Sequence, residues 1–309
     1  MIDDQTLNGV DITMPQVDEY HDVTYTQVPQ GTDIRELKMS LLIPRTSQLK
    51  PAVLYFPGGG FTAANYHKFI QLRLALANKG MVVAAAEYRV IPDQFPAIMH
   101  DAKRALQYLY KNAELFGIDT SKIAVLGDSA GGYLSQFMGT TSDSKDVLPH
   151  GVTQAETKVA AVVSMYGISD LMRIGDGIDG TEAFHAGPTS PEAILVNGVS
   201  FGTDLSAGIQ ENPEKAREAS PIDYIHPGLP PFLLMHGDKD VVVSCKQAEY
   251  MATALRDRGN QVKQVLVHGA GHGTPEWFQP TIIDFITDWL CEKLDWKDKV
   301  KLNISTQTL

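Results

Sequence analysis

The pentapeptide Gly127-Asp128-Ser129-Ala130-Gly131 sets a serine between two glycines. It comes directly after the β-branched apolar run Ile123-Ala124-Val125-Leu126 and before a helically spaced stretch over 133–138. This is the nucleophile-elbow pattern, in which a strand turns sharply into a helix and exposes a serine hydroxyl. A side chain at Gly127 or Gly131 would collide with the neighbouring strand or helix. The hydroxyl then stands at a helix N-terminus, where unpaired N–H groups favour developing negative charge. The chemistry open to such a residue is attack on an acyl carbonyl.

A serine hydroxyl is a poor nucleophile near neutrality and needs a base, an orienting acid and an oxyanion hole. The order serine, acid, histidine puts the partners behind later strands. Phe232-Leu233-Leu234-Met235-His236-Gly237 leads to Asp238 and Asp240, and Val265-Leu266-Val267 leads to His268 and His272. Asp238 directly follows Gly237, where an aspartate commonly closes a turn through local backbone bonds, so Asp240 is the expected acid. His268 falls at the strand end. His272, in a glycine-rich loop that can swing a ring over the serine, is the expected base. The spacing of the two histidines also suits a helical metal pair, but Gly269 and Gly271 lie between them and no carboxylate follows at ligand spacing, so no metal is expected. Ala130, Gly59 and Gly60 are the expected oxyanion donors, the glycines because they let main chain approach a substrate closely. Phe61, Tyr166 and Trp277 lie beside these loops and either line a substrate pocket or pack in the core.

Such loops need a scaffold. Period-two stretches at 23–28 and 37–43 read as an opening antiparallel pair, and short apolar runs at 52–56, 81–85, 123–126, 159–163, 232–235 and 262–267 read as further strands. Helices are expected over 66–78, from Pro96 to near Gly117, over 246–257 and over 277–293. The alternation predicts an α/β fold with a mostly parallel sheet covered by helices on both faces. Between 169 and 229 no clean strand is visible, and Gly175, Gly177, Gly180, Gly187 and Gly198 punctuate the segment. It reads as a small cap or lid insertion within a single domain spanning 1–309, with short helices near 191–196 and 213–218. The glycine run at 175–180 lacks a P-loop lysine and EF-hand spacing and reads as a lid turn.

A net charge of −11 with no basic run argues against nucleic-acid or anionic-membrane partners. The first twenty residues carry Asp3, Asp4, Asp11, Asp18 and Glu19 but no lysine or arginine, the reverse of a signal-peptide start. No apolar run is long enough to span a bilayer, so the expected location is cytoplasmic. Cys245 and Cys291 match no metal or disulfide framework and are expected to be ordinary thiols.

From about residue 50 onward the chain resembles the α/β-hydrolases of the hormone-sensitive-lipase-like esterases, close to the group of bacterial feruloyl- and acetyl-esterase (BD-FAE-like) domains. The resemblance rests on Pro57-Gly58-Gly59-Gly60-Phe61, on Glu87-Tyr88-Arg89 with Phe95-Pro96-Ala97 and Asp101, and on Phe116-Gly117-Ile118-Asp119. It continues through Gly127-Asp128-Ser129-Ala130-Gly131-Gly132, Ala219-Ser220-Pro221-Ile222, the stretch 231–240, and Gly269-Ala270-Gly271-His272-Gly273. It implies a Ser129, Asp240 and His272 triad, oxyanion donors at Gly59, Gly60 and Ala130, and hydrolysis of a small-molecule ester with no cofactor. The family usually has histidine where Pro57 stands, which implies altered rigidity of that loop. The first fifty residues match weakly, so no large N-terminal helical cap is expected. Short-chain acyl esters are the expected substrates, with acetyl or feruloyl esters of plant polysaccharide as a narrower version. An amidase, formamidase or peptidase would use the same triad, and a non-enzymatic receptor on this fold would commonly lack a triad member. The sequence leaves the oligomeric state open.

Overall fold

The computed structural model describes residues 6, 9–145, 147–178, 184–185, 187–199 and 207–297; Gly180 of the expected lid turn lies outside them. Eight strands form one sheet: β1 (Val17–Gln30), β2 (Asp33–Pro44), β3 (Lys50–Phe56), β4 (Val82–Ala86), β5 (Ile118–Asp128), β6 (Ala161–Met165), β7 (Phe232–Gly237) and β8 (Val262–Val267). Their spatial order is β1-β2-β4-β3-β5-β6-β7-β8. The β1–β2 hairpin and the β2–β4 pair are antiparallel, and every other pair is parallel. The chemistry-bearing loops at 57–61, 128–131, 166, 238–243 and 268–273 all leave the C-terminal ends of parallel strands, where open α/β sheets bind ligands.

The helices are α1 (Ile70–Asn78), α2 (Ala97–Lys111), α3 (Ala113–Phe116), α4 (Ala130–Thr140), α5 (Pro191–Asn197), α6 (Pro213–Glu218), α7 (Lys246–Asp257) and α8 (Pro280–Lys293). Strands β3, β4, β6 and β7 are buried along their whole length, so their side chains divide between two cores. On one face Leu54, Val125 and Leu234 meet Leu106 of α2, Phe137 of α4 and Met251 of α7. On the other, Val53, Leu126 and Leu233 meet Leu72 of α1 and Ile286 and Leu290 of α8. This two-sided burial explains why these strands read as continuous apolar runs. No helix among the described residues is long and apolar enough to cross a membrane.

Several element boundaries depart from the sequence expectation: the helix expected from Pro96 to near Gly117 divides at Asn112 into α2 and α3, the strand expected over 159–163 is Ala161–Met165, and two further departures have a visible cause. The helix expected from 66 starts only at Ile70, because buried Arg73 draws the preceding backbone out of helical geometry. Its Nε donates to Lys68 O (2.9 Å) and its guanidinium to His67 O (3.0 Å), and Phe69 takes a left-handed φ of 52°. The helix expected over 277–293 divides into a 3₁₀ turn at Pro275–Phe278 and α8, whose first residue Pro280 has no N–H to continue from the turn. Between β6 and β7 the described residues hold no strand, and α5 and α6 lie there.

Candidate active site

Strands β3 and β5 lie side by side with Phe56 opposite Gly127, so loop 57–61 and the elbow emerge together. Ser129 takes φ 52° and ψ −120°, a strained conformation for a residue with a side chain, and its N–H donates to Met165 O at 2.9 Å. The flanking glycines are required for space. A Cβ at Gly127 would lie 2.2 Å from Gly131 O, and one at Gly131 would lie 1.9 Å from Phe56 O. Helix α4 starts at Ala130, so its first N–H groups, which have no intrahelical acceptor, lie beside the serine.

Strands β7 and β8 deliver the other two residues. Asp240 Oδ1 accepts the N–H groups of Val242 and Val243, both at 2.9 Å, which leaves Oδ2 to accept His272 Nδ1–H at 2.8 Å. With its proton on Nδ1, the imidazole keeps a lone pair on Nε2, which lies 2.8 Å from Ser129 Oγ. Burial of Asp240 acts to raise its pKa, but hydrogen bonds from His236, His272 and Val243 N–H hold the carboxyl below the ordinary range. Buried His236 donates Nε2–H to Val243 O at 2.8 Å and lies 3.3 Å from Asp240 Oδ2. Asp238 and His268 pair with each other instead (3.1 Å), with Asp238 also accepting Gly269 N–H at 2.7 Å and His268 fully on the surface. The structure brings Asp240 and His272 to Ser129, and leaves Asp238 and His268 outside.

No acceptor among the described residues takes the N–H groups of Gly59, Gly60 or Ala130. The loop carrying the first two is clamped by Asp128, the residue before the serine. Buried Asp128 accepts Gly58 N–H (2.8 Å) and Tyr55 O–H (2.7 Å) on Oδ1, and Lys68 Nζ (3.0 Å) on Oδ2. Lys68 Nζ also donates to Gly58 O at 3.1 Å, and Tyr88 O–H donates to the carbonyl of Pro57. Pro57 therefore sits in a loop held from both sides. A Cβ at Gly58 would lie 2.6 Å from the Asp128 carboxylate, so only glycine lets the clamp close.

These groups open on a cavity of about 410 Å³, within the size range of small-ligand pockets. Phe61 and Tyr166 line it; Phe61 meets Tyr133 edge-on at 5.2 Å. Tyr166, at the end of β6, wedges between the two halves of the site. Its ring meets His272 edge-on at 4.8 Å, and its O–H lies 3.4 Å from Asp128 Oδ2. Trp277 is not among the lining residues. It is fully buried behind Tyr166 (4.7 Å), and its Nε1–H donates to Gly271 O at 2.8 Å, steadying the His272 loop.

The outer wall comes from the strandless segment. His185 Nε2–H donates to Val242 O (2.8 Å) and Nδ1 lies 2.9 Å from Glu192 Oε1, with both side chains buried. Burial acts to lower the His185 pKa, and the Glu192 carboxylate outweighs it and raises the value. Sequence reasoning singled out none of Asp128 in its clamping role, Lys68, His236, His185 or Glu192. A charged residue inside a glycine-flanked elbow and a histidine ending an apolar strand are visible signals for Asp128 and His236. Lys68 has none, since its partner lies 60 residues away.

Residues 39–255 match the model of the BD-FAE family, a span that includes Ser129 and Asp240 and stops before His272. Esterase LipC of Mycobacterium tuberculosis is 32% identical over 231 residues, covering 72% of this chain and 53% of LipC. The probable carboxylic ester hydrolase LipM of the same organism is 31% identical over 214 residues, covering 68% of this chain and 46% of LipM. The chain thus spans about half the length of these curated relatives. Among solved structures, a truncated form of a carbohydrate esterase from gut microbiota superposes with a TM-score of 0.75 at 23% identity, covering 93% of this chain and 100% of that one, a likeness of fold. The family match runs from β2 into α7 and takes in the elbow, and the chain belongs to the BD-FAE family on the α/β-hydrolase fold.

Proposed function

We propose that the chain is a serine carboxylesterase that cleaves short-chain acyl esters through an acyl-enzyme on Ser129. The observation that carries this reading is the continuous relay from Asp240 through His272 to Ser129 Oγ, 2.8 Å at each step, beside N–H groups with no acceptor among the described residues. In this mechanism Ser129 Oγ attacks the ester carbonyl as His272 Nε2 takes its proton. Asp240 fixes the tautomer and stabilises the imidazolium. The oxyanion rests on the N–H groups of Gly59, Gly60 and Ala130. His272 returns the proton to the leaving alcohol, and water repeats the sequence to free the acid. The 410 Å³ cavity, walled by Phe61 and Tyr166, favours short acyl chains, with segment 169–229 acting as a small cap over it.

Fluorophosphonate labelling with peptide mapping tests the assignment. Ser129 should carry the label, and Ser129→Ala should lose turnover while keeping the fold. Labelling of active protein at any other residue would sink the mechanism. Ester series from acetyl to long-chain acyl, with acetylated xylan and methyl ferulate as carbohydrate-type arms and a peptide and a formamide as amide arms, sort the substrate classes. A rate maximum on long chains or on amides would refute the short-acyl reading.

A further inference from the structure

Among the described residues that line the cavity, Lys68 is a basic side chain that the proposed chemistry does not use and that reaches solvent. Asp128, His185 and Glu192 line the cavity with side chains only 2%, 2% and 7% exposed, and each is paired. Lys68 also lines it, and its side chain is 37% exposed. An ammonium has three donors in tetrahedral array. Two of them go to Asp128 Oδ2 and Gly58 O, so the third N–H leaves in a different direction, from a side chain open to the cavity.

The surrounding backbone holds this lysine in place. Arg73, 2% exposed, donates to the carbonyls of His67 and Lys68 and to Ser40 Oγ. The next residue, Phe69, is held at φ 52°, where a bulky side chain is rarely found, with its ring stacked on Phe278 at 4.4 Å. A buried guanidinium on the 67–68 carbonyls and a strained residue at 69 fix the backbone that carries the lysine, and the bonds to Asp128 and Gly58 place its ammonium. A clamp for the oxyanion loop requires only the two bonds to Asp128 and Gly58; it does not require that the charge be open to the cavity.

We propose that Lys68 is a specificity-determining residue, whose unused N–H receives a carboxylate on the non-reacting part of the ester. The preferred substrates are then esters that carry a carboxylate, either on the acyl side (the half-ester of a dicarboxylic acid) or on the alcohol side (an acyl ester of a hydroxy acid). The assignment rests on the esterase reading for its turnover readout. In a chain of net charge −11, this half-buried ammonium, already paired with Asp128 at 3.0 Å, offers an anion a directed N–H beside the reacting centre rather than a broad positive field. A charge-assisted hydrogen bond at a partly exposed position is worth roughly tenfold in affinity or rate.

The test compares kcat/KM by pH-stat for monoethyl glutarate against ethyl butyrate, and for O-acetylglycolate against propyl acetate. Wild type should favour the anionic member of at least one pair by about tenfold, and the pair that shows it identifies the side. The preference should shrink as ionic strength rises from about 0.05 to about 0.5 M, over which the Debye length falls from roughly 14 to roughly 4 Å. Lys68→Met should lower the anionic-to-neutral ratio about tenfold, and Lys68→Arg should preserve it. Equal losses on both members in Lys68→Met, or no wild-type preference in either pair, would overturn the proposal. Glutarate binding to Ser129→Ala, measured by calorimetry with and without Lys68→Met, reads the cation without turnover. Equal binding in both overturns the proposal, and binding lost only with Lys68 supports it even if no ester is cleaved. Failure to cleave any neutral ester would instead strike the esterase reading alone.

Discussion

Asp128 links the nucleophile's own strand to the oxyanion loop, so its replacement should separate stability from catalysis in a calculable way. Oδ1 accepts Gly58 N–H and Tyr55 O–H, and Oδ2 accepts the Lys68 ammonium. In Asp128→Asn the amide oxygen can retain the first two donors, while the NH₂ faces the ammonium, a donor against a donor. The loss is one charge-assisted bond, about 1.5–3 kcal/mol, with the loop still anchored. Asp128→Ala also strands Gly58 N–H and Tyr55 O–H in the interior, each at about 1–3 kcal/mol, for a total of about 3.5–9 kcal/mol. At roughly 2 °C per kcal/mol for a chain of this size, the melting temperature should fall by about 3–6 °C in the first variant and by about 7–18 °C in the second. Catalysis should diverge more. With Gly58 held, Asp128→Asn should lose about tenfold in kcat, whereas a loose loop in Asp128→Ala should approach the 10²- to 10³-fold cost of removing an oxyanion donor. Stopped-flow acylation with p-nitrophenyl acetate, alongside thermal unfolding, measures both quantities. Equal kcat in the two variants would show that the clamp does not position the oxyanion loop, and the reasoning would fail.

Asp240→Asn should cost about 10³–10⁴ in kcat, because the amide no longer fixes the Nδ1–H tautomer of His272; a loss below tenfold in steady-state assays would remove Asp240 from the relay. The Asp240 carboxyl titrates below its usual 3.8 in the folded chain, so its stabilising contribution is complete above that pH and is lost as the pH falls through the lower folded value. Denaturant titrations should therefore show a steeper acid-side loss in wild type than in Asp240→Asn, and parallel profiles would contradict the assignment. Lys103 is fully buried with Thr141 O as acceptor (3.0 Å), and burial lowers its pKa from 10.5 to about 8. The unfolded chain then binds the extra proton between about 8 and 10.5, so this group adds stability as the pH rises through that window. Lys103→Met should raise stability at pH 7 by roughly 1–2 kcal/mol, with the advantage fading by pH 10 in urea unfolding; a pH-independent difference would refute this. Gly131→Ala should yield insoluble or inactive protein by circular dichroism and labelling, since its Cβ would lie 1.9 Å from Phe56 O; an active variant would show that the elbow can relax.

The parallel scaffold was legible because strands buried on both faces leave apolar runs and the catalytic loops begin where those runs stop. The Ser129, Asp240 and His272 positions were legible because glycines mark the turns that expose them. The start of α1 was not, because the residue that denies 66–69 a helical path is Arg73, acting backward on its own N-terminal side through side-chain bonds no periodicity records. For Trp277 the sequence left pocket wall and core packing both open. Proximity to His272 in sequence does not tell which side of the Tyr166 ring an indole occupies. Lys68 and His185 depend on Asp128 and Val242 in separate segments, a kind of contact that only the folded chain displays, and Glu192 acts through His185.

Tyr166 stands on β6, between the strand pair that supplies the nucleophile with its oxyanion loop and the pair that supplies the acid and base. The ladder of the sheet runs unbroken from β5 through β6 to β7 and sets the spacing of the two halves; above it, the loops that carry the reacting groups meet through one phenol ring and the bond from His272 to Ser129. Gentle heating should therefore loosen the His272 loop above the sheet before the sheet itself parts. The first inactive form to accumulate would keep a competent anion cradle but lose proton transfer, and cooling should restore activity without refolding.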